Sequence, residues 1–361
     1  MIKPENQFFI FGLGHREKHL YKDGALINIR TNETVYKWNV EREKFLFDRY
    51  MVVIWTKEKN IFLIEENEHG LYVSDITNGE ERKDSACLAE SEINLPDFEE
   101  YEYPAQMRIL HQEILTSFIG TEPVPNIYVY DKAWYRDGAM MALALEKTGN
   151  IDLLKPWALS VTDLYDRNNK GNEEPDNLGQ LAFVLSFFVD KNHPMIIKIV
   201  EEAKRIMKNG LLTGMTDYNH HEIYSTLWLK LALNRLDIDT SFIKIPEEFD
   251  SYARMFWMDK SEVERKTPYE NKYDEWYPYL WWAVKHFENE QVDEKYLEIK
   301  YPMSWEIKAS EAKYDKIAPL STEYAKNKCG APHSWHASEM FMYLIDRTER
   351  KNNMPGYKGA Y

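Results

Sequence analysis

The periodicity of the apolar residues changes near residue 105, and that change limits the folds open to this chain. From Phe8 to about Ile76 they come in short runs, Phe8-Phe9-Ile10-Phe11, Met51-Val52-Val53-Ile54-Trp55 and Ile61-Phe62-Leu63-Ile64, rich in aromatic and β-branched side chains. Turn signals separate the runs, among them Lys22-Asp23-Gly24, Thr31-Asn32 and Lys59-Asn60. Such runs favour strands, so the segment reads as a small antiparallel β unit. Residues 78–104 are charged and end at Pro104, and beyond them apolar positions recur at three and four residues, as at Met140, Leu143 and Ala144. That spacing is helical. Helices are expected over roughly 138–148, 151–165, 177–190, 194–209, 222–236, 246–258, 276–288 and 335–347, most simply joined as hairpins. The expected organisation is a small antiparallel β domain and linker over 1–104, then a helical domain over 105–361.

Composition narrows the function classes. With 361 residues, 44% of them hydrophobic and 14% aromatic, the chain can bury a large core. The 45 basic and 60 acidic residues leave a net charge of −15, which repels phosphate backbones unless a basic patch intervenes. No such patch is visible, and nucleic acid is not an expected partner. Cys87 and Cys329 match neither a disulfide framework nor a zinc pattern, so a cytoplasmic setting is expected. The start, Met1-Ile2-Lys3-Pro4-Glu5-Asn6, lacks the features of a secretory signal, and no stretch approaches the roughly 18 apolar residues of a membrane span. Gly12-Leu13-Gly14 lacks the third glycine and the following helix of a dinucleotide fingerprint, and no cofactor is expected.

Three polar-aromatic clusters stand at expected helix starts. In Trp134-Tyr135-Arg136-Asp137-Gly138, Asp137 suits an N-cap and Arg136 its ion-pair partner, while the aromatic neighbours offer stacking faces for a sugar ring. In Glu173-Glu174-Pro175-Asp176-Asn177, Pro175 suits the first helical position and acids suit the positive end of the helix dipole. That explains one or two carboxylates but not three. Carboxylates this close oppose one another's ionisation, so one of them can keep a proton and act as a general acid; Glu174 is preferred over Glu173 and Asp176. In the third cluster, Pro332-His333-Ser334-Trp335-His336, packing or capping accounts equally well for the histidines and Trp335, and Glu323 upstream is a candidate general base. Asp217-Tyr218-Asn219-His220-His221-Glu222 lacks HExxH spacing, so no metal is expected there. Most rings of Phe256-Trp257 and Trp276-Tyr277-Pro278-Tyr279-Leu280-Trp281-Trp282 read as core.

At these residues the chain resembles the six-hairpin glycosidase superfamily, especially the bacterial glucoamylase-like enzymes. The resemblance implies a mainly α fold, an (α/α)6 toroid of helical hairpins preceded by a small antiparallel β domain. Trp134-Tyr135-Arg136-Asp137-Gly138-Ala139 looks like the superfamily's W-x-R-D motif, whose Arg and Asp hold the terminal sugar. Pro175-Asp176-Asn177-Leu178-Gly179-Gln180 is similar to its second sugar-binding motif, and Glu323 followed by Pro332-His333-Ser334-Trp335-His336-Ala337 to the segment carrying its catalytic base. The Trp-Glu-Glu motif of the general acid has no clean counterpart; His221-Glu222 stands in roughly its place and Glu174 competes with it.

The expected function is therefore an inverting glycoside hydrolase-like activity on a small oligosaccharide. Glu174 is the expected acid and Glu323 the base, with Trp134, Arg136, Asp137, Asp176, His221, Glu222, His333 and Trp335 around the substrate. The alternatives are a polysaccharide lyase or sugar epimerase using Tyr135, His221 or His333, and a noncatalytic carbohydrate-binding protein. A homo-oligomer stays open.

Overall fold

The structure, a computed structural model, describes residues 3–79, 86–90, 92–217, 219–246, 297–308 and 312–352. The expected helices at 246–258 and 276–288 and the aromatic stretches around Trp257 and Trp276 lie essentially outside the described residues.

The short apolar runs form two antiparallel sheets. The first holds β1 (Phe8–Phe11), β2 (His19–Lys22), β3 (Ala25–Asn28) and β4 (Thr34–Lys37), in that order. The second runs β5 (Val40–Leu46), β6 (Met51–Thr56), β7 (Ile61–Glu66), β8 (Gly70–Asp75) and β9 (Ala86–Glu90). Alternation along β1 divides its side chains between two cores. Phe9 and Phe11 pack with Val52, Ile54 and Ile64 of the second sheet, whereas Phe8 and Ile10 pack with Val129, Tyr130, Trp134, Trp305 and Tyr314. β1 is buried on both faces for that reason and forms a wall behind the candidate site.

Gly12-Leu13-Gly14 follows β1 as an internal clamp. The Gly12 and Leu13 N–H groups donate to the Glu66 carboxylate at 2.7 and 2.8 Å, and Arg16 Nη1 reaches the same carboxylate at 3.0 Å. Gly12 has φ +107°, and a Cβ there would meet the Glu17 carbonyl oxygen at 2.3 Å, so only glycine fits.

Helices then alternate with irregular stretches and very short strands. α1 (Pro104–Thr116) begins on its proline; then come α2 (Tyr135–Lys147), α3 (Lys155–Ser160), α4 (Asp176–Leu185), α5 (Pro194–Ile206), α6 (Glu222–Arg235), α7 (Thr322–Asn327) and α8 (Ser334–Asn352). α1 packs on α8, α8 on α2, α2 on α4, and α4 on both α5 and α6. The expected helix over 151–165 divides into a 3-10 turn, Ile151–Leu154, and α3, which ends where Val161 turns extended at ψ 129°.

The expected mainly α toroid is not what the chain forms. Helix accounts for 36% and strand for 20% of the structure, a mixed α and β chain with its sheets antiparallel. Strand pairing continues past residue 105, in β10 (Phe118–Ile119) with β11 (Glu122–Pro123), β12 (Met207–Lys208) with β13 (Leu211–Leu212), and β14 (Glu306–Ile307) with β15 (Cys329–Gly330). Loops such as 161–175 further separate consecutive helices. Helical spacing in the sequence revealed the helices but not what joins them. Among the described residues no helix is long and apolar enough to cross a membrane.

Candidate functional site

The first turns of α2, α4 and α8 converge on Arg136. Its guanidinium lies 5.7 Å from the Trp134 ring and 5.2 Å from the Trp335 ring, and Nη2 is 3.8 Å from Glu174 Oε2. A planar cation between two indoles is attracted by both π faces. Glu174 is buried just before α4, where its Oε1 accepts Asn168 Nδ2 at 3.1 Å and the Asp217 N–H at 2.8 Å. These contacts make Glu174 a holder of Arg136 and of the 168–174 loop.

Asp166 joins the group from the loop after α3. Its Oδ2 caps α2 by accepting the Tyr135 N–H at 2.7 Å, and Lys132 closes over Trp134 at 5.2 Å while donating to the Asp166 carbonyl at 2.6 Å. Burial pushes the Asp166 carboxyl up to about 6, against the Tyr135 bond and the charges of Arg136 and Lys132. Behind it, Asp176 is fully buried between Gln180 Nε2 at 2.8 Å and Thr216 Oγ1 at 3.2 Å. Burial raises Asp176 strongly despite the nearby Arg136, with Glu174 and Asp166 adding to the rise.

A second polar group gathers around His333. Asp137 accepts Ser334 Oγ at 2.8 Å, and burial raises it against the pull of His333, Ser334 and Arg136. His333 Nε2 is 3.3 Å from Glu306 Oε2, and the same oxygen accepts the Tyr130 hydroxyl at 2.6 Å. Burial works against the His333 imidazolium, but Glu306 and Asp137 outweigh it and raise the group above its ordinary value. The adjacent His336 ring, 4.6 Å away, is driven well below its ordinary value by burial, by His333 and by Arg136. One histidine of the pair thus favours the charged form and the other the neutral form.

Three buried polar atoms in this region have no hydrogen-bond partner among the described residues: Trp134 Nε1, Asp166 Oδ1 and His333 Nδ1. Buried polar atoms are nearly always partnered by protein or by water, so these three can accept or donate to water or to a polar ligand. Their chemistry, an N–H donor, a carboxyl oxygen and an imidazole nitrogen, suits hydroxyl groups.

The structure therefore gathers Trp134, Arg136, Asp137, Glu174, Asp176, His333 and Trp335 of the sequence-expected residues. His221, just before α6, stands at one remove: its carbonyl accepts Ser225 Oγ at 2.9 Å, and Ser225 and Thr216 are 3.2 Å apart next to Asp176. Glu222 opens α6, half-buried, with its carbonyl accepting Thr226 Oγ1 at 2.6 Å. Glu323 stands on the first turn of α7, near Tyr324 and Cys329. Glu173 pairs with Arg167 at 2.9 Å on the exposed surface, and the Tyr135 hydroxyl donates to the Asp163 carbonyl at 2.9 Å. Sequence reasoning did not single out Asp166, Asn168, Tyr130 or Glu306. The polar run Asp166-Arg167-Asn168-Asn169 was the available signal for the first two. Among the described residues no group of three or more His, Cys, Asp or Glu is arranged to hold a metal ion.

Comparison with family profiles, with characterised proteins and with solved structures returns no match, so the functional reading rests on the site itself.

Proposed function

We propose that the chain is a glycoside hydrolase-like enzyme, of the inverting kind, that takes the terminal residue of a small saccharide against Arg136 and the indoles of Trp134 and Trp335. The observation that carries this reading is the set of three unpartnered buried atoms around Arg136, on side chains belonging to a carboxyl, an imidazole and an indole. Asp166 serves as the general acid. Burial keeps its proton toward neutral pH, and Oδ1 is the oxygen left to deliver it to the glycosidic oxygen. Glu306 serves as the general base. Its Oε2 is held by Tyr130 and His333, and its other oxygen takes the proton of the water that attacks the anomeric carbon. Asp137 and His333 hold sugar hydroxyls, and Glu174 keeps Arg136 in place.

A panel of nitrophenyl glycosides and small oligosaccharides tests the reading, with the anomer of the first product followed by NMR. Turnover that Asp166→Asn and Glu306→Gln each lower by roughly 10²–10⁴-fold supports it. Saccharide binding without turnover supports a noncatalytic sugar-binding protein instead, and an unsaturated product supports a lyase. Neither turnover nor binding of any saccharide overturns the carbohydrate reading.

A further inference from the structure

We infer that Glu113, on α1, is a positioning residue for the His333–Glu306 pair and acts through Ser304. The inference rests on the reading of that pair as reacting groups, but its test needs no substrate. Glu113 is fully buried on α1, between buried His111 and Gln112 on one side and Ile114 and Leu115 on the other. Its Oε1 accepts the Met303 N–H at 2.5 Å, and its Oε2 accepts the Ser304 N–H at 2.9 Å together with the Ser304 hydroxyl. A hydroxyl has one proton to give. With that proton committed to Glu113, Ser304 Oγ turns its lone pairs outward and accepts the backbone N–H of His333 at 2.9 Å.

One carboxyl thus fixes two segments that meet in the site. The first is the loop 303–304, which reaches Glu306 on β14 two residues later; the second is His333, the residue just before α8. A carboxyl in this place is costly. Burial pushes Glu113 up to about 7 even against its three hydrogen bonds, and an apolar residue of similar volume would avoid that cost but could not hold the loop. The groups that face Glu113 electrostatically are Lys300, Tyr301 and Tyr324. Those that face His333 are Glu306, Asp137, Arg136 and His336, with the Tyr130 ring 6.2 Å away. Glu113 is not among the groups that set the charge of His333, so its influence runs through Ser304 and backbone position.

The test is an NMR titration of the His333 ring in the full chain, its signals assigned by their loss in His333→Gln. Ser304→Ala adds or removes no ionisable group and takes away only the bridging hydroxyl. If the bridge holds His333 against Glu306, the variant ring binds its proton about threefold more weakly or worse. Glu113→Gln should shift the titration in the same direction, and the double variant should shift it no further than the larger single change, as expected for residues acting in one chain. An unchanged His333 titration in Ser304→Ala, with a native circular dichroism spectrum, overturns the inference even if Glu113→Gln fails to fold. Additive shifts in the double variant overturn it as well. A shifted titration in a protein that hydrolyses no glycoside overturns the hydrolase reading and leaves the positioning role standing.

Discussion

Ser334 donates a 2.8 Å hydrogen bond to Asp137 Oδ1 and so ties the first turn of α8 to that of α2 across 197 residues of sequence. Both groups are buried, so removing one leaves the other without this partner. Ser334→Ala leaves a buried carboxyl short of a donor and should lower stability by about 1–3 kcal/mol, read from urea unfolding. The Ser334 bond pulls the raised Asp137 downward, so its removal raises Asp137 further. A carboxyl raised in the folded state loses its stabilising contribution as pH rises through the folded value. The deficit of Ser334→Ala should therefore be larger at pH 8 than at pH 4, and an equal deficit at both would assign it to packing alone.

Asp166 gives a prediction of opposite sign. Its folded value of about 6 lies above the ordinary 3.8, so its contribution is fully present below the ordinary value and is lost as pH rises through about 6. Asp166→Asn keeps an oxygen for the Tyr135 N–H and removes the ionisation. The variant should match the native chain near pH 3 and exceed it at pH 8 by about 1–3 kcal/mol, while any glycoside turnover collapses. Gained stability with lost turnover is the signature of a group kept for chemistry. Denaturant midpoints at the two pH values decide it, and a variant less stable at pH 8 would mean that the carboxylate is structural.

Glu66 is the anchor of the β region. It takes the Gly12 and Leu13 N–H groups and Arg16, which also donates to the Asn67 and Glu68 carbonyls at 2.9 and 2.7 Å. The Arg16 and Glu66 side chains are 0% and 1% exposed. Breaking one member of such a pair leaves the other charged and buried, at a cost of about 3–5 kcal/mol. Glu66→Ala should lower the unfolding midpoint sharply, and replacing both partners together should cost less than the sum of the single changes.

Much of this architecture was legible locally, and the parts that were not have a common cause. Phe8 to Phe11 read as a strand because its residues are aromatic and β-branched, and they are needed on two faces. Trp134-Tyr135-Arg136-Asp137 and Pro332-His333-Ser334-Trp335 read as site-bearing helix starts because polar residues there interrupt an apolar pattern. Glu306 carries no such local mark, and Asp166 only that of a polar run outside any helix start. Asp166 acquires its role by capping α2 from another loop, and Glu306 by meeting Tyr130 from 176 residues away. Glu113 is hidden for the same reason, since its partners at Met303 and Ser304 are 190 and 191 residues distant. The mainly α expectation failed on the balance of 36% helix to 20% strand, to which the two-residue strands between the helices, too short to show any alternation in sequence, add little.

Gly179 separates packing from binding within a motif first read for sugar. It lies inside α4, in Pro175-Asp176-Asn177-Leu178-Gly179-Gln180, one turn from Asp176. A Cβ there would stand 2.3 Å from Leu229 N and 2.6 Å from the Trp228 carbonyl carbon, both backbone atoms of α6. Helix propensity alone favours alanine over glycine by about 1 kcal/mol, so an unhindered Gly179→Ala would stabilise. The clash decides the sign, because backbone cannot swing aside as a side-chain tip can. α4 must move away from α6, which also disturbs Gln180, whose Nε2 reaches Asp176 at 2.8 Å and the Tyr224 hydroxyl at 3.3 Å. Overpacking of this kind costs about 1–3 kcal/mol or more. Gly179→Ala should therefore lower the thermal midpoint, and Gly171→Ala, where no atom lies within 4 Å of the added Cβ but φ is +81°, should cost only the local backbone strain. A Gly179→Ala protein as stable as the native chain would show that α4 and α6 are free to separate, and the close approach of these helices would lose its structural role.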